Sequence, residues 1–266
     1  MQEKKKKATI KRWNEMGRVE ANMQFTYETV KRDFSDFASG RVLYNAPGST
    51  GFPIRLTSEI FQISRSYLQK QTQLTVYDPC CGGAHLLTAI GFLHGDSIQT
   101  LYGSDSNKTI IETGQSNLHL LTYEGLAQRK RKLEKDFKLY NKSAHAEALK
   151  SADRLKSYLD KTGEVQGEIF QFNIAVKEVP KLKEVQIVIA DLPYGELVSW
   201  DSNALSPVKQ MLQNLYGVLA TNGVVAIVSD KSTLIEHTSF RRLKVVKHGK
   251  RKVTFLQPID RHMVQN

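Results

Sequence analysis

Cysteine is nearly absent: the 266 residues contain two, Cys80 and Cys81, and these are neighbours in the chain. Adjacent cysteines rarely form a structural disulfide, so cross-links are not expected to hold the fold, and a reducing, cytoplasmic setting is expected. Long apolar runs are missing as well. No stretch approaches the ~18–20 residues that span a bilayer, so no membrane partner is expected. The lysine-rich start has no apolar segment behind it of the secretory kind. The seven histidines are scattered, without the Cys/His spacing of a zinc site, so no metal is expected. The dinucleotide loop G-x-G-x-x-G is also absent, which argues against a dehydrogenase.

Positive charge is abundant. Lysine and arginine number 38 against 27 acids, a formal net charge of +11. The excess is clustered in residues 1–12, 128–142 and 241–252, which together hold 20 of the 38 basic residues. Such clusters attract polyphosphate and gain from counterion release, which favours a nucleic-acid partner. A merely solvated surface has no need of clustering. Arg129, Lys130, Arg131 and Lys132, with Arg241, Arg242, Lys250 and Arg251, are the candidate RNA contacts. The three clusters are expected to form one surface around the site.

The chain suits one large α/β domain. Residues 1–40 read as a basic N-terminal extension with a helix near Phe25–Phe37, carrying Phe25, Val30, Phe34 and Phe37 at helical spacing, and residues 41–266 as the main domain. A helix over Thr57–Gln71, capped by Thr57 or Ser58, precedes a strand at Leu74–Asp78. Strands and helices then alternate: helix Ala84–Leu93, strand Leu101–Asp105, helix Lys108–Leu121, and strands at Glu168–Phe172, Val185–Asp191, Val224–Ser229, Val245–Val246 and Val253–Leu256, with a helix at Leu205–Leu219. This rhythm predicts a mostly parallel, doubly wound sheet. Residues 123–163 interrupt it as a polar helical insertion. A monomer is expected.

Three strand ends carry chemistry. Val76-Tyr77-Asp78-Pro79-Cys80-Cys81-Gly82-Gly83-Ala84 takes an apolar strand into a carboxylate and then through glycines into a helix. Gly82 and Gly83 allow close backbone approach and positive φ. An acidic strand end suits a cofactor with a cationic amino-acid part, although a plain strand-to-helix turn has the same residues. Asp105 ends the next strand, where it could accept both hydroxyls of a ribose or simply cap the following helix. Asn173, after the third strand, could meet an adenine edge or form a turn. In Val188-Ile189-Ala190-Asp191-Leu192-Pro193-Tyr194-Gly195, Asp191 and the Leu192 carbonyl could hold the proton of a planar base nitrogen. Tyr194 could stack on the ring and fix it for attack.

These residues resemble the class I amino-methyltransferases, which use D-P-x-x-G-x-G for the cofactor and (D/N)-P-P-(Y/F) at the target. The chain is more similar to the avilamycin-resistance ribosomal RNA methyltransferase A family, through its D-P-C-C-G-(S/G) loop and its D-L-P-Y-G-E turn, completed here by Glu196. The family's G-F-P-(V/I)-R-L segment is matched by Gly51-Phe52-Pro53-Ile54-Arg55-Leu56. The resemblance implies a Rossmann-like fold with a seven-stranded sheet and helices on both faces, the insertion lying before the third strand. It implies S-adenosylmethionine as cofactor, large-subunit ribosomal RNA as partner, methylation of a guanine with N1 favoured, and a link to antibiotic resistance. Arg55 would help seat the cofactor's carboxylate, Asp78, Cys80, Gly82, Asp105, Ser106 and Asn173 would line the cofactor, and Asp191, Leu192, Pro193 and Tyr194 would lie at the target base. Gly83-Ala84 departs from the second half of G-x-G. An N6-adenine or N4-cytosine methyltransferase and a non-catalytic RNA-binding assembly factor are the alternatives.

Overall fold

The structure, a computed structural model, describes residues 25–46, 51–192 and 207–259. Seven strands form one sheet: β1 Leu74–Asp78, β2 Ile98–Asp105, β3 Gln166–Gln171, β4 Val185–Asp191, β5 Leu219–Asp230, β6 Phe240–His248 and β7 Arg251–Pro258. Their spatial order is β3-β2-β1-β4-β5-β7-β6. Neighbours from β3 to β5 pair in parallel, while β7 runs antiparallel to both β5 and β6. The six α-helices among the described residues are α1 Ile54–Ser66, α2 His85–His94, α3 Lys108–His119, α4 Tyr123–Tyr140, α5 Ser143–Thr162 and α6 Pro207–Val218. The expected mostly parallel sheet is therefore present, and α4 and α5 form the expected helical insertion before β3.

Both faces of the sheet are covered, which is why its central strands read as unbroken apolar runs. Along β4, Ile187 and Ile189 point into one core, with Leu56 and Ile60 of α1, Leu87 and Ile90 of α2, and Leu155 of α5. Val188 and Ala190 point into the other, with Met211, Leu212 and Leu215 of α6. The chain leaves β1 toward β2 and β3, then returns to β4 on the other side. The crevice between the carboxyl ends of β1 and β4 is thus the topological switch point, where open sheets of this kind bind ligands.

Two expectations fail near the N-terminus. Residues 25–34 form no helix, and a 3₁₀ turn occupies only Ser35–Phe37. The backbone N–H groups of Thr26, Tyr27 and Glu28 instead donate to the carboxylate of Glu59, at 2.6, 2.9 and 2.8 Å. The apolar side chains do not share a face either: Phe25 lies under Arg55, Val30 is exposed, and Phe37 is in the core. Helix α1 begins earlier than expected, after Pro53, whose carbonyl accepts the first helical bond from Thr57. Thr57 and Ser58 lie inside the helix, where buried Ser58 donates to the Glu28 carboxylate at 2.5 Å.

Glu59 is fully buried and acts as an internal cap for an irregular segment. Each N–H bond to a charged acceptor is worth ~1.5–3 kcal/mol, and the orphaned donors would add to the loss. Glu59→Ala is expected to destabilise the protein by at least about 2 kcal/mol in denaturant unfolding. The amides of residues 26–28 should exchange with solvent faster than those of β4.

Candidate active site

The turn after β1 is held from three sides. Asp78 is 2% exposed and accepts the backbone N–H of Cys80 at 3.0 Å. Asp105 Oδ2 accepts the N–H of Gly82 at 2.9 Å, so the end of β2 fastens the turn to itself. Asn117, buried on α3, donates to the carbonyl of Gly83 at 2.8 Å and exchanges bonds with both backbone groups of Tyr44. Sequence reasoning missed Asn117. Its one signal was a polar residue beside Leu118 on the apolar side of a helix.

Of the two glycines, only Gly82 takes positive φ, at +50°. Gly83 is needed for space, because a methyl there would come within 2.6 Å of the Ala46 side chain. Ala84, where the motif's second glycine would stand, takes the left-handed conformation itself, with φ +56°. The departure from G-x-G thus leaves the shape of the turn intact.

Electrostatically the site is acidic. Burial pushes the Asp78 carboxyl well above its ordinary range, and the nearby charges of Asp191 and Asp105 push it the same way. Burial likewise raises the thiols of Cys80 and Cys81, which makes them poor nucleophiles. Carboxylates at the ends of β1, β2 and β4 therefore face one crevice, an arrangement that a cationic ligand would relieve. Asp105 does not cap α3; Asn107 does, accepting the N–H of Thr109 at 3.0 Å. Asp105 Oδ1 accepts from Asn107 N at 2.9 Å, in a turn that aims the carboxylate. Ser106 is exposed beside it, its carbonyl accepting from Gln171. Asn173 adopts the turn alternative, Oδ1 accepting the N–H of Ala175 at 3.0 Å. Among the described residues no group of His, Cys, Asp and Glu is arranged to hold a metal.

Asp191 ends β4 paired with Val228, and Leu192 is buried, its N–H donating to the Val228 carbonyl at 3.0 Å. Pro193 and Tyr194 lie outside the described residues. Arg55 stands in the first turn of α1, where Nε and Nη2 donate to the Glu28 carbonyl at 3.0 and 2.6 Å. Its guanidinium also lies 3.8 Å from the centre of the Phe25 ring. Its visible work is to anchor the N-terminal segment.

Of the three basic clusters, residues 1–12 lie outside the described residues, and the other two do not each present all their charge on one surface as expected. Arg129 is 8% exposed and is a strut, donating to the carbonyls of Val42 and Arg41 and lying over the Tyr44 ring. It is removed from the candidate RNA contacts, because a buried, satisfied guanidinium cannot meet a phosphate. Lys130 pairs with Asp153, while Arg131 and Lys132 are exposed. Arg241 and Arg242 sit at the start of β6, opposite Gln257 and Leu256, at the amino edge of the parallel strands. Lys247, Lys250, Arg251 and Lys252 surround the β6–β7 turn at the carboxyl edge, since Arg251 pairs with Asp230 at the end of β5. The Arg251 guanidinium lies 5.2 Å from the ring of Phe52.

The insertion also reaches the carboxyl edge. Helices α2 and α5 both end where the next strand begins, so they run in the same direction, and Phe37 packs on Phe92 and Tyr158 at the same level. Helix α5 has 20 residues against 10 in α2. Counting back from Phe92 and Tyr158, the α4–α5 tip extends about 12 Å beyond the start of α2, at ~1.5 Å per residue. Lys132, Lys135, Lys138 and Lys142 lie along this arm, with exposed Tyr140 stacked on His145 near its tip.

The rRNA methyltransferase AviRa family matches residues 23–251. A curated relative from Streptomyces viridochromogenes, named 23S rRNA (guanine(2535)-N(1))-methyltransferase, is 33% identical over 235 residues, 86% of this chain and 93% of that protein. A solved structure of the rRNA methyltransferase AviRa from the same organism superposes with a TM-score of 0.79 at 30% identity, covering 88% of this chain and 96% of that one. TrmN from Thermus thermophilus, at 12% identity and a TM-score of 0.50, covers 80% of this chain and 51% of its own, and shares the fold.

Left-handed backbone costs an ordinary residue ~1–2 kcal/mol, whereas losing the buried Ala84 methyl costs about 0.8 kcal/mol. Ala84→Gly should therefore stay within about 1 kcal/mol of the parent in thermal unfolding. Ala84→Val, branched at a positive φ, should lower Tm clearly; equal Tm values for the two would mean that the turn has another conformation.

Proposed function

The chain belongs to the rRNA methyltransferase AviRa family, and from that premise we propose that it methylates a guanine base at N1 in 23S ribosomal RNA, with S-adenosylmethionine as cofactor. The observation that carries this reading is the convergence of Asp78, Asp105 and Asp191 at the β1–β4 switch point, in the order a cofactor half-site and a target half-site require.

The residues present fit the cofactor. Buried Asp78, flanked by further negative charge, suits an ammonium group, and its raised carboxyl pKa would return toward the ordinary range beside one. Asp105 is steered by the N–H groups of Gly82 and Asn107 and keeps lone pairs for the hydroxyls of a ribose. The bound cofactor supplies an electrophilic methyl group. Everything else is work for the chain: Asp191 accepts the N1 proton, the Leu192 carbonyl holds the base edge, and Tyr194 supplies the stacking surface. Arg55 and Asn173 have structural partners already, and a cofactor contact is additional to those bonds.

Transfer to unmodified 23S rRNA followed by nucleoside mass spectrometry should yield 1-methylguanosine. Asp191→Ala should lower the rate by at least about 10²-fold while cofactor affinity stays near the parent value. Appearance of N6-methyladenosine or N4-methylcytidine would select the amino-methyltransferase reading, and cofactor binding with no product on any RNA would select the assembly-factor reading.

The RNA is proposed to lie along the carboxyl edge, between the α4–α5 arm and the β6–β7 turn. Lys252 supports this: burial chiefly, and then the nearby charges of Arg242 and Lys247, hold its ammonium below the usual lysine range, so like charge is gathered along β6 and β7. Replacing Arg131, Lys132 and Lys135 by alanine should weaken RNA binding and reduce its salt slope by roughly 0.7–0.9 for each phosphate that is no longer neutralised. Arg129→Ala should instead lower Tm, and Arg241→Ala, at the amino edge, should leave the salt slope unchanged.

A further inference from the structure

We propose that His85 binds the carboxylate of the cofactor's amino-acid part, an inference that rests on the cofactor reading above. His85 is the first residue of α2, directly after the Asp78–Ala84 turn. Its side chain is 9% exposed, and both Nδ1 and Nε2 are buried without a hydrogen-bond partner. Among the described residues no other buried side-chain nitrogen or oxygen is left in that condition. Buried polar atoms are nearly always paired, so two orphans on one ring mark the place of a ligand group.

The surroundings define its charge. A methyl placed on Gly51 would lie 4.0 Å from His85 Nδ1, so the residues that lead into α1 approach the start of α2 at this ring. Neither helix has a side-chain cap: α1 follows Pro53 and α2 follows Ala84. Uncapped helix starts present free N–H groups and a positive dipole end, which together favour an anion. Burial favours the neutral imidazole, which offers one N–H donor and one acceptor. A donor ring beside two helix starts is a carboxylate site.

The cofactor is the fitting source of that carboxylate. An α-amino acid carries an ammonium and a carboxylate on one carbon. Asp78 stands before the turn to take the first, and His85 after it to take the second. An RNA phosphodiester is a poorer fit, being bulky and tethered on both sides, against a ring with so little exposed surface.

Calorimetry on the full chain separates the possibilities. S-adenosylhomocysteine carries the amino-acid part, and methylthioadenosine lacks it. His85→Ala should weaken S-adenosylhomocysteine about 10- to 100-fold, the loss of one charge-assisted bond, and leave methylthioadenosine unchanged. His85→Gln, which keeps a donor, should recover part of the loss, and Asp105→Ala should weaken both ligands. An unchanged S-adenosylhomocysteine affinity, or equal losses for the two ligands, overturns the inference. So does a loss confined to RNA affinity, which would assign the ring to a phosphate. If the unaltered protein binds neither ligand, the cofactor reading itself fails, and the inference falls with it.

Discussion

A buried carboxylate in the company of two others sets the terms for this molecule. Asp78 accepts one backbone N–H, from Cys80, and the neighbouring charges that bear on it are those of Asp191 and Asp105. Without a ligand, ionising it is costly, because desolvation and like charge act in the same direction. The fold tolerates this only because the turn is fixed by bonds that do not depend on Asp78, from Asp105 to Gly82 and from Asn117 to Gly83. The shape of the turn is thus set without any ligand contact, the condition under which binding energy is not consumed in reorganisation.

The same struts explain why the periphery belongs to the site. Asn117 joins the turn to the backbone of Tyr44, Arg129 joins the insertion to Arg41 and Val42, and Glu59 and Arg55 grip residues 26–29 from α1. Each is a polar side chain satisfying backbone groups of a segment with no helix or strand to satisfy them. Residues 25–46 are thereby tied to the core, into which they bury Phe37, Val42 and Leu43. Part of the stretch expected to be a basic extension is in fact a girdle around α1 and α5.

The sheet was legible in the sequence because its signals are local. Strand β1 and strand β4 were read to the residue, since an apolar run ending in an Asp has unambiguous limits. The helix expected at Phe25–Phe37 shows where this fails. Aromatics at helical spacing imply one shared face, but here Phe25 lies under Arg55 while Phe34 and Phe37 pack together, and the backbone bonds go to Glu59 more than 30 positions away. Arg129 is the same lesson at the level of charge. Within a run of four basic residues, only the helical phase decides which side chain points inward, and phase depends on what packs there. Ala84 departs from the motif's second glycine and still takes the left-handed conformation, because a methyl is the smallest side chain and tolerates that backbone at modest cost. His85 gave no sequence signal, because an unpaired ring is visible only in three dimensions.

The distribution of positive charge then argues about substrate size. The crevice itself is acidic, so it would repel the phosphates of the nucleic acid whose base it is proposed to receive. The basic residues stand off from it, on the α4–α5 arm rising about 12 Å beyond the start of α2, at ~1.5 Å per residue, and around the β6–β7 turn on the far side of β5. A free nucleotide would carry its phosphate into the acidic crevice and gain nothing from either flank. A structured RNA can lay its backbone on both flanks and present one unstacked base between them, gaining counterion release from many phosphates at once. The separation of the acidic centre from the basic flanks therefore favours a large folded RNA over a small ligand, and does so by electrostatics alone.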